Sequence, residues 1–206
     1  MFNTKAKKER ALQTPLFLKP FRSASPKSAV SRRAKRPGQH GARRRRLTEH
    51  AEQLEEKQKF RFTYGLKEKQ MRKLFKKASH DPERTGEVFK KLLEKRLDNV
   101  VYRMGFAPSR SVARQLVSHG HILVNGKKIK SSSYEVKMKD LISIRPGSRD
   151  KKIFENLLEK MKEYNTPTWL KVDPIKLEGS ITGEPNDLDI SFEISKVVDY
   201  YSKIIK

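Results

Sequence analysis

The sequence predicts an α+β protein, mainly helical, behind an extended basic arm. Three observations predict it. Stretches between residues 47 and 118 repeat apolar residues at helical spacing. The segment "HILVNGKKIK" reads as a strand, a two-residue turn and a second strand. Residues 1–46 keep neither period.

The arm comes first. Residues 1–46 hold 15 Lys+Arg and one acid, Glu9, a net of +14. "SASPKSAVSRRAKRPGQHGARRRR" has the composition of an arm that orders on a partner, or of a solvated tail. The apolar patch "PLFLKPF" is suited to pin it to a surface.

Helical patterning begins at residue 47. Thr48 is a candidate N-cap ahead of "EHAEQLEEKQKFRFTYG", in which Glu55 and Lys59 stand at i,i+4. Gly65 interrupts. "LKEKQMRKLFKKA" then places Leu66, Gln70, Met71, Leu74 and Phe75 along one side, and its basic opposite face suits RNA or plain solvent. After the turn "HDPERTGE", Thr85 is placed to cap a helix whose stripe is Val88, Phe89, Leu92, Leu93, Leu97 and Val100. Ser109 suits the N-cap of a third helical stretch, 109–118. There Val112, Ala113, Leu116 and Val117 face one way, Arg110, Ser111, Arg114, Gln115 and Ser118 the other, and Gly120 is a stop.

The hairpin follows. Asn125-Gly126 predicts a type I′ turn, which needs positive φ at both central residues. "YEVKMKDLISIR" adds strand with a turn at Lys139-Asp140. Residues 150–164 return to helix through Ile153, Leu157, Leu158 and Met161. "TPTWLKVD" and "DLDISFEI" are short and mixed, with Trp169 as a packing anchor, and "VVDYYSKIIK" is amphipathic without a fixed state.

Composition bounds the function. The chain has 206 residues, 48 Lys+Arg against 24 Asp+Glu, and a formal net charge of +24. Charge that far from zero repels itself and calls for an anionic partner. Nucleic acid is the default, since each neutralised phosphate releases counterions. No long apolar run, signal-peptide core or lipidation motif follows Met1, so a membrane is not expected. Residues 165–206 carry a net of −2, so the two ends of the chain should meet different surroundings. The absence of cysteine excludes disulfides, iron–sulfur clusters and thiol-ligated zinc. At 35% hydrophobic residues, the cores should be modest.

Enzyme signatures are missing: no Walker loop, Rossmann glycines, nucleophile elbow or HExxH. His119 and His121 are close, but no third ligand accompanies them, so hydrogen bonding to phosphate or packing is expected in place of a metal. Asp98, beside the basic unit, suits orienting an arginine better than acid–base work. No cofactor is implied. The basic constellation is the sharper signal. Arg110 and Arg114 lie one helical turn apart, and Lys127, Lys128 and Lys130 follow the hairpin turn. Guanidinium forks can take two phosphate oxygens, and duplex RNA offers phosphates and 2′-hydroxyls rather than readable base edges.

"RLDNVVYRMGFAPSRSVARQLVSHGHILVNGKKI", residues 96–129, resembles the RNA-binding module of the bacterial small-subunit ribosomal protein S-four family. "RPGQHGARRRRL", "LEEKQKFRFTYGLKEKQMRKLF" and "TPTWLKVD" resemble further segments of that family, in the same order. The resemblance implies an arm over 1–46, a helical domain begun by 47–95, an inserted module of helices and a small, mostly antiparallel sheet over 96–160, and a return to the helical domain over 161–206. It implies a cytoplasmic, structural protein of the small subunit that binds the 5′ part of its rRNA at a helix junction early in assembly. It also implies neighbours, ribosomal proteins S-five and S-three, with the S-five contact bearing on decoding accuracy. The residues assigned to rRNA are Arg32, Arg33, Arg36 and His40 in the arm. In the module they are Arg96, Arg103, Arg110, Arg114, Gln115, His119, His121, Asn125, Lys127 and Lys128. Arg43, Arg44 and Arg46 match a basic run placed towards incoming mRNA. Pseudouridine synthases and a heat-shock RNA-binding protein share the module, which leaves an RNA-modifying enzyme or a stress chaperone as alternatives. Many relatives bind zinc through four arm cysteines; Ser23 and Ser28 stand where the last two would fall, so this resembles a zinc-free type. Arm folding would then rest on rRNA and on Leu16, Phe17 and Leu18, with little structure before residue 45 in the free protein.

Overall fold

The structure, a computed structural model, describes residues 5–18, 23, 25–43, 46–149, 151–154, 157, 161, 164–185 and 192–204. The chain divides into two compact units, residues 1–86 with 190–206, and residues 87–189.

In the first unit the arm is not extended throughout. Helix α1 spans Lys5–Leu12 and a single turn, α2, spans Ala29–Arg32. Leu12 and Leu16 are buried, whereas Phe17, expected to pack with Leu16, is exposed and sits at φ 50°. Local order before residue 45 therefore exceeds the sequence expectation, because Glu9 organises it. Its buried carboxylate accepts from the Leu16 N–H at 3.3 Å and the Ser23 hydroxyl at 3.0 Å.

Helix α3, Glu49–Thr63, starts as predicted: the Thr48 hydroxyl accepts from the Ala51 N–H. Helix α4, Glu68–Ser79, follows Gly65 and buries Met71, Phe75 and Ala78. The terminal segment resolves to helix α8, Ile194–Ile204, which packs along α3 and buries Val197, Tyr200 and Tyr201. A polar node sits at the centre of these helices. Glu68 accepts from the buried Lys57 ammonium at 3.1 Å and from the Tyr201 hydroxyl at 3.0 Å. Burial alone would raise the Glu68 carboxyl, but Lys57 and Tyr201 outweigh it and hold its pKa below the ordinary value.

The expected stripe from Val88 to Val100 is buried throughout, but on two helices, α5 Thr85–Glu94 and α6 Leu97–Arg103. The break falls at Arg96, whose extended backbone (φ −70°, ψ 135°) bridges to Glu135. Thr85 lies inside α5 as its first residue rather than ahead of it. Helix α7, Arg110–Ser118, is capped by the Ser109 hydroxyl, which accepts from the Val112 N–H. Its apolar face packs on α6.

Strands β1 Ile122–Val124, β2 Lys127–Lys128, β3 Leu141–Ile144, β4 Leu170–Asp173 and β5 Glu178–Ile181 form one antiparallel sheet in the order β2-β1-β3-β5-β4. Asn125 and Gly126 have φ of 50° and 75°, as a type I′ turn requires. Alternation puts Ile122, Val124, Ile142, Ile144 and Ile181 on the core side with Leu97, Val100, Met104, Leu116 and Val117.

The structure moves one predicted boundary. Residues 161–189, expected to rejoin the helical domain, belong to the second unit, where β4 and β5 complete the sheet and Trp169 is buried in its core. The return begins at residue 190. The helix expected over 150–164 lies partly outside the described residues. A 3-10 turn, Lys152–Phe154, stands at its start and buries Phe154 while Ile153 is exposed, since the tighter turn rotates adjacent side chains apart.

Candidate nucleic-acid interface

Helices α6 and α7 position the two arginines that the sequence singled out, and each is tied to α6 by a polar side chain. Asp98, in the first turn of α6 and 3% exposed, accepts from Arg114 Nε at 2.8 Å, from a second Arg114 nitrogen, and from Arg96. Asn99, the next residue, accepts from Arg110 Nε at 2.8 Å through Oδ1. The Arg110 guanidinium lies 4.6 Å from the centre of the Tyr102 ring. An arginine carries five donors in a planar fork, so anchoring by one edge is compatible with gripping an anion by another.

Behind this layer lies a second one that was not foreseen from the sequence. Glu94, fully buried at the end of α5, accepts two hydrogen bonds from Arg103, at 3.0 and 3.1 Å, and one from Asn99 Nδ2 at 2.8 Å. Asn99 thus relays the order of a buried ion pair out to Arg110. The available signal was an acid set directly against the apolar stripe in "KKLLEKRLDNV".

Two candidates are corrected by their burial. Arg103 is 1% exposed and Arg96 4% exposed, each committed to a carboxylate. Neither offers its guanidinium to a phosphate; both are internal supports. Asn125, exposed at the turn, also has a structural role. Its amide nitrogen donates to Asp140 Oδ1 at 2.8 Å and its carbonyl accepts from the Leu141 N–H at 2.9 Å, so the side chain latches the turn to β3.

Gln115, His119, Lys127 and Lys128 are exposed. Lys128 passes over the end of α7: a Cβ added at Gly120 would lie 2.1 Å from Lys128 Cε, and Gly120 itself sits at φ 73°. His121 is half-buried and its Nδ1 shares a 2.9 Å hydrogen bond with the Ser148 hydroxyl. Burial, then the charges of Lys151, His119, Arg145 and Lys128, push its pKa below the ordinary imidazole value.

The arm residues belong to the first unit. Arg32, Arg33, His40, Arg43 and Arg46 are exposed, and Arg44 lies outside the described residues. Arg36 is paired with Glu55 at 2.7 Å.

Comparison with known proteins bears on nearly the whole chain. Residues 2–94 match the model of the ribosomal protein S4/S9 N-terminal domain, and residues 95–142 that of the S4 domain. The small ribosomal subunit protein uS4 of Kosmotoga olearia is 45% identical over 190 residues, 91% of each chain. That of Halothermothrix orenii is equally similar, at 45% over 190 residues. The Chloroflexus aurantiacus protein is 44% identical over 180 residues, 84% of this chain and 87% of its own. The chain belongs to the ribosomal protein S4 family. Within the S4 family it is a cysteine-less member, and its arm does not fit a zinc site. Ser23 donates to Glu9, and Ser28 caps α2 by accepting from the Ser31 N–H, so both hydroxyls are engaged in the arm's own structure. Among the described residues no helix is long and apolar enough to cross a membrane.

Proposed function

We propose that this chain is a structural component of the small ribosomal subunit, not an enzyme, and that it binds rRNA through the α6–α7 surface and the β1–β2 hairpin. One observation carries the reading. Arg110 and Arg114, one turn apart, are each held at Nε by a polar side chain of α6, which sets two cations at fixed spacing. Fixed cations lose less side-chain entropy on meeting phosphates than free ones. The relatives' description as small ribosomal subunit proteins supports the setting, the cytoplasmic small subunit.

Lys127, Lys128, Gln115 and His119 complete the module's contact set, with Arg32, Arg33, His40 and Arg36 contributing from the arm. The protein offsets phosphate repulsion where rRNA helices converge and so nucleates assembly at that junction. Arg43, Arg44 and Arg46 face mRNA where it enters, and contacts with ribosomal proteins S-five and S-three carry the effect on accuracy. A module-sharing enzyme or chaperone is disfavoured, since similarity to uS4 proteins extends over 91% of the chain rather than the module alone.

The test is a salt titration of rRNA binding with Arg110→Ala plus Arg114→Ala. The slope of log affinity against log salt should fall by about two, one for each phosphate no longer neutralised. An unchanged slope in the folded double variant overturns the assignment.

A further inference from the structure

We infer that His119, His121, Lys128, Arg145 and Lys151 form a second, discrete site that grips one phosphodiester group of RNA, at the end of the sheet where β1 begins and β3 stops. It rests on the rRNA-binding reading above and adds Arg145 and Lys151, which lie beyond the helix–hairpin.

Three strands of geometry converge there. Ile122 pairs with Ile144 across β1 and β3, so His121 and Arg145 are the next residues out on adjacent strands, and the Arg145 N–H donates to the His121 carbonyl at 2.9 Å. Lys128 arrives from β2 across the bare Cα of Gly120, the glycine between the two histidines. Lys151 arrives from the turn after β3, its N–H donating to the Ser148 carbonyl at 3.2 Å. Ser148 is 2% exposed, and its hydroxyl holds His121 Nδ1, while Phe154 packs edge-on against the imidazole with ring centres 6.4 Å apart. The ring is fixed on its Nδ1 side, which leaves Nε2 as the nitrogen for a ligand.

The electrostatics point the same way. Among the described residues, the charges that bear most on His121, from Lys151, His119, Arg145 and Lys128, lower its proton affinity. Gathering like charges around one fixed imidazole is unfavourable in the free protein. An anion seated among them attracts every one of these cations and so offsets their mutual repulsion. His119, Lys128, Arg145 and Lys151 are all exposed, so the anion needs no opening of the fold. A phosphodiester supplies the single charge and the acceptor oxygens.

The experiment uses the full chain, a transcript of the 5′ part of small-subunit rRNA, and inorganic phosphate as a separate arm. Arg145→Gln plus Lys151→Gln keeps both stems and should lower the salt slope of RNA binding by about one, with an unchanged circular dichroism spectrum. RNA should also shift the His121 ring resonances. An unchanged slope in this variant, while Arg110→Ala plus Arg114→Ala lowers it, overturns the second site and leaves the proposed function standing. If neither pair changes the slope, both fall. If millimolar inorganic phosphate alone shifts His121 as fully as RNA does, the site takes free phosphate and the RNA assignment is overturned.

Discussion

The two units handle charge differently. In the helical unit, Lys57, Glu68 and Tyr201 commit their polar atoms to one another, joining α3, α4 and α8, while the outer face of α4 turns Lys69, Arg72, Lys73 and Lys76 to solvent. In the module, buried polar groups reach outwards. Glu94 orders Asn99, which holds Arg110, and Asp98 holds Arg114. Both units are basic on the outside, but the module ties Arg110 and Arg114, the cations of its proposed contact surface, to the buried side chains Asn99 and Asp98. Net charge alone therefore does not distinguish a gripping surface from a solvated one; the hydrogen bonds behind each cation do.

Substitutions can undo this contrast or make it starker. Glu94→Gln leaves Arg103 buried without its counter-charge and should cost about 3–5 kcal/mol in urea unfolding. Adding Arg103→Met to Glu94→Leu should recover most of that loss, as removing both charges spares the desolvation. Gly120→Ala comes next. A side chain at φ 73° costs about 1–2 kcal/mol, and it must also displace Lys128, so melting temperature and RNA affinity should fall together. Tyr201→Phe removes a hydrogen bond to Glu68 and should cost about 1.5 kcal/mol while leaving the salt slope of RNA binding unchanged. Thr48→Ala, which removes the α3 cap, should cost about 1 kcal/mol.

Acid should separate the same two chemistries. His121 has its folded pKa depressed, so its contribution to stability is complete above its ordinary value of 6.5 and is lost as pH falls below it. Glu68 is depressed too, so its contribution is complete above 4.5 and is lost only as pH falls through its lower folded value. The urea midpoint should therefore decline first through the His121 region and again in stronger acid, and His121→Asn should remove the first decline. With rRNA bound, the first decline should vanish, because phosphate favours protonated His121 among Lys128, Arg145, Lys151 and His119.

Much of this was legible in the sequence. The caps at Thr48 and Ser109, the Asn125-Gly126 turn and the apolar stripes are local features, set by chemistry within a few residues. What escaped was non-local. Strands β4 and β5 have short, mixed sequences that become strands because β3 offers β5 a pairing edge and β5 in turn offers one to β4. Glu94 and Asn99 look like ordinary polar residues until burial assigns them. Arg103 and Arg96 carry the same charge as Arg110 and Arg114, and no local pattern tells an inward guanidinium from an outward one. Arg145 could have been found by pairing β1 with β3 on paper, since register places it beside His121.

The strand order has a consequence for making the protein. Ser143 pairs with Glu178, 35 residues further on, so the middle of the sheet closes across a long connection. During synthesis the β1–β2 hairpin can zip as soon as it emerges, but β3 keeps an open edge until residue 181 is out. A fragment ended at residue 142 stops inside β3, and one ended at residue 160 keeps β3 but exposes its edge to any passing chain. A soluble minimal module should therefore run from residue 87 to beyond Ile181, and shorter ones should aggregate in proportion to the edge they leave uncovered.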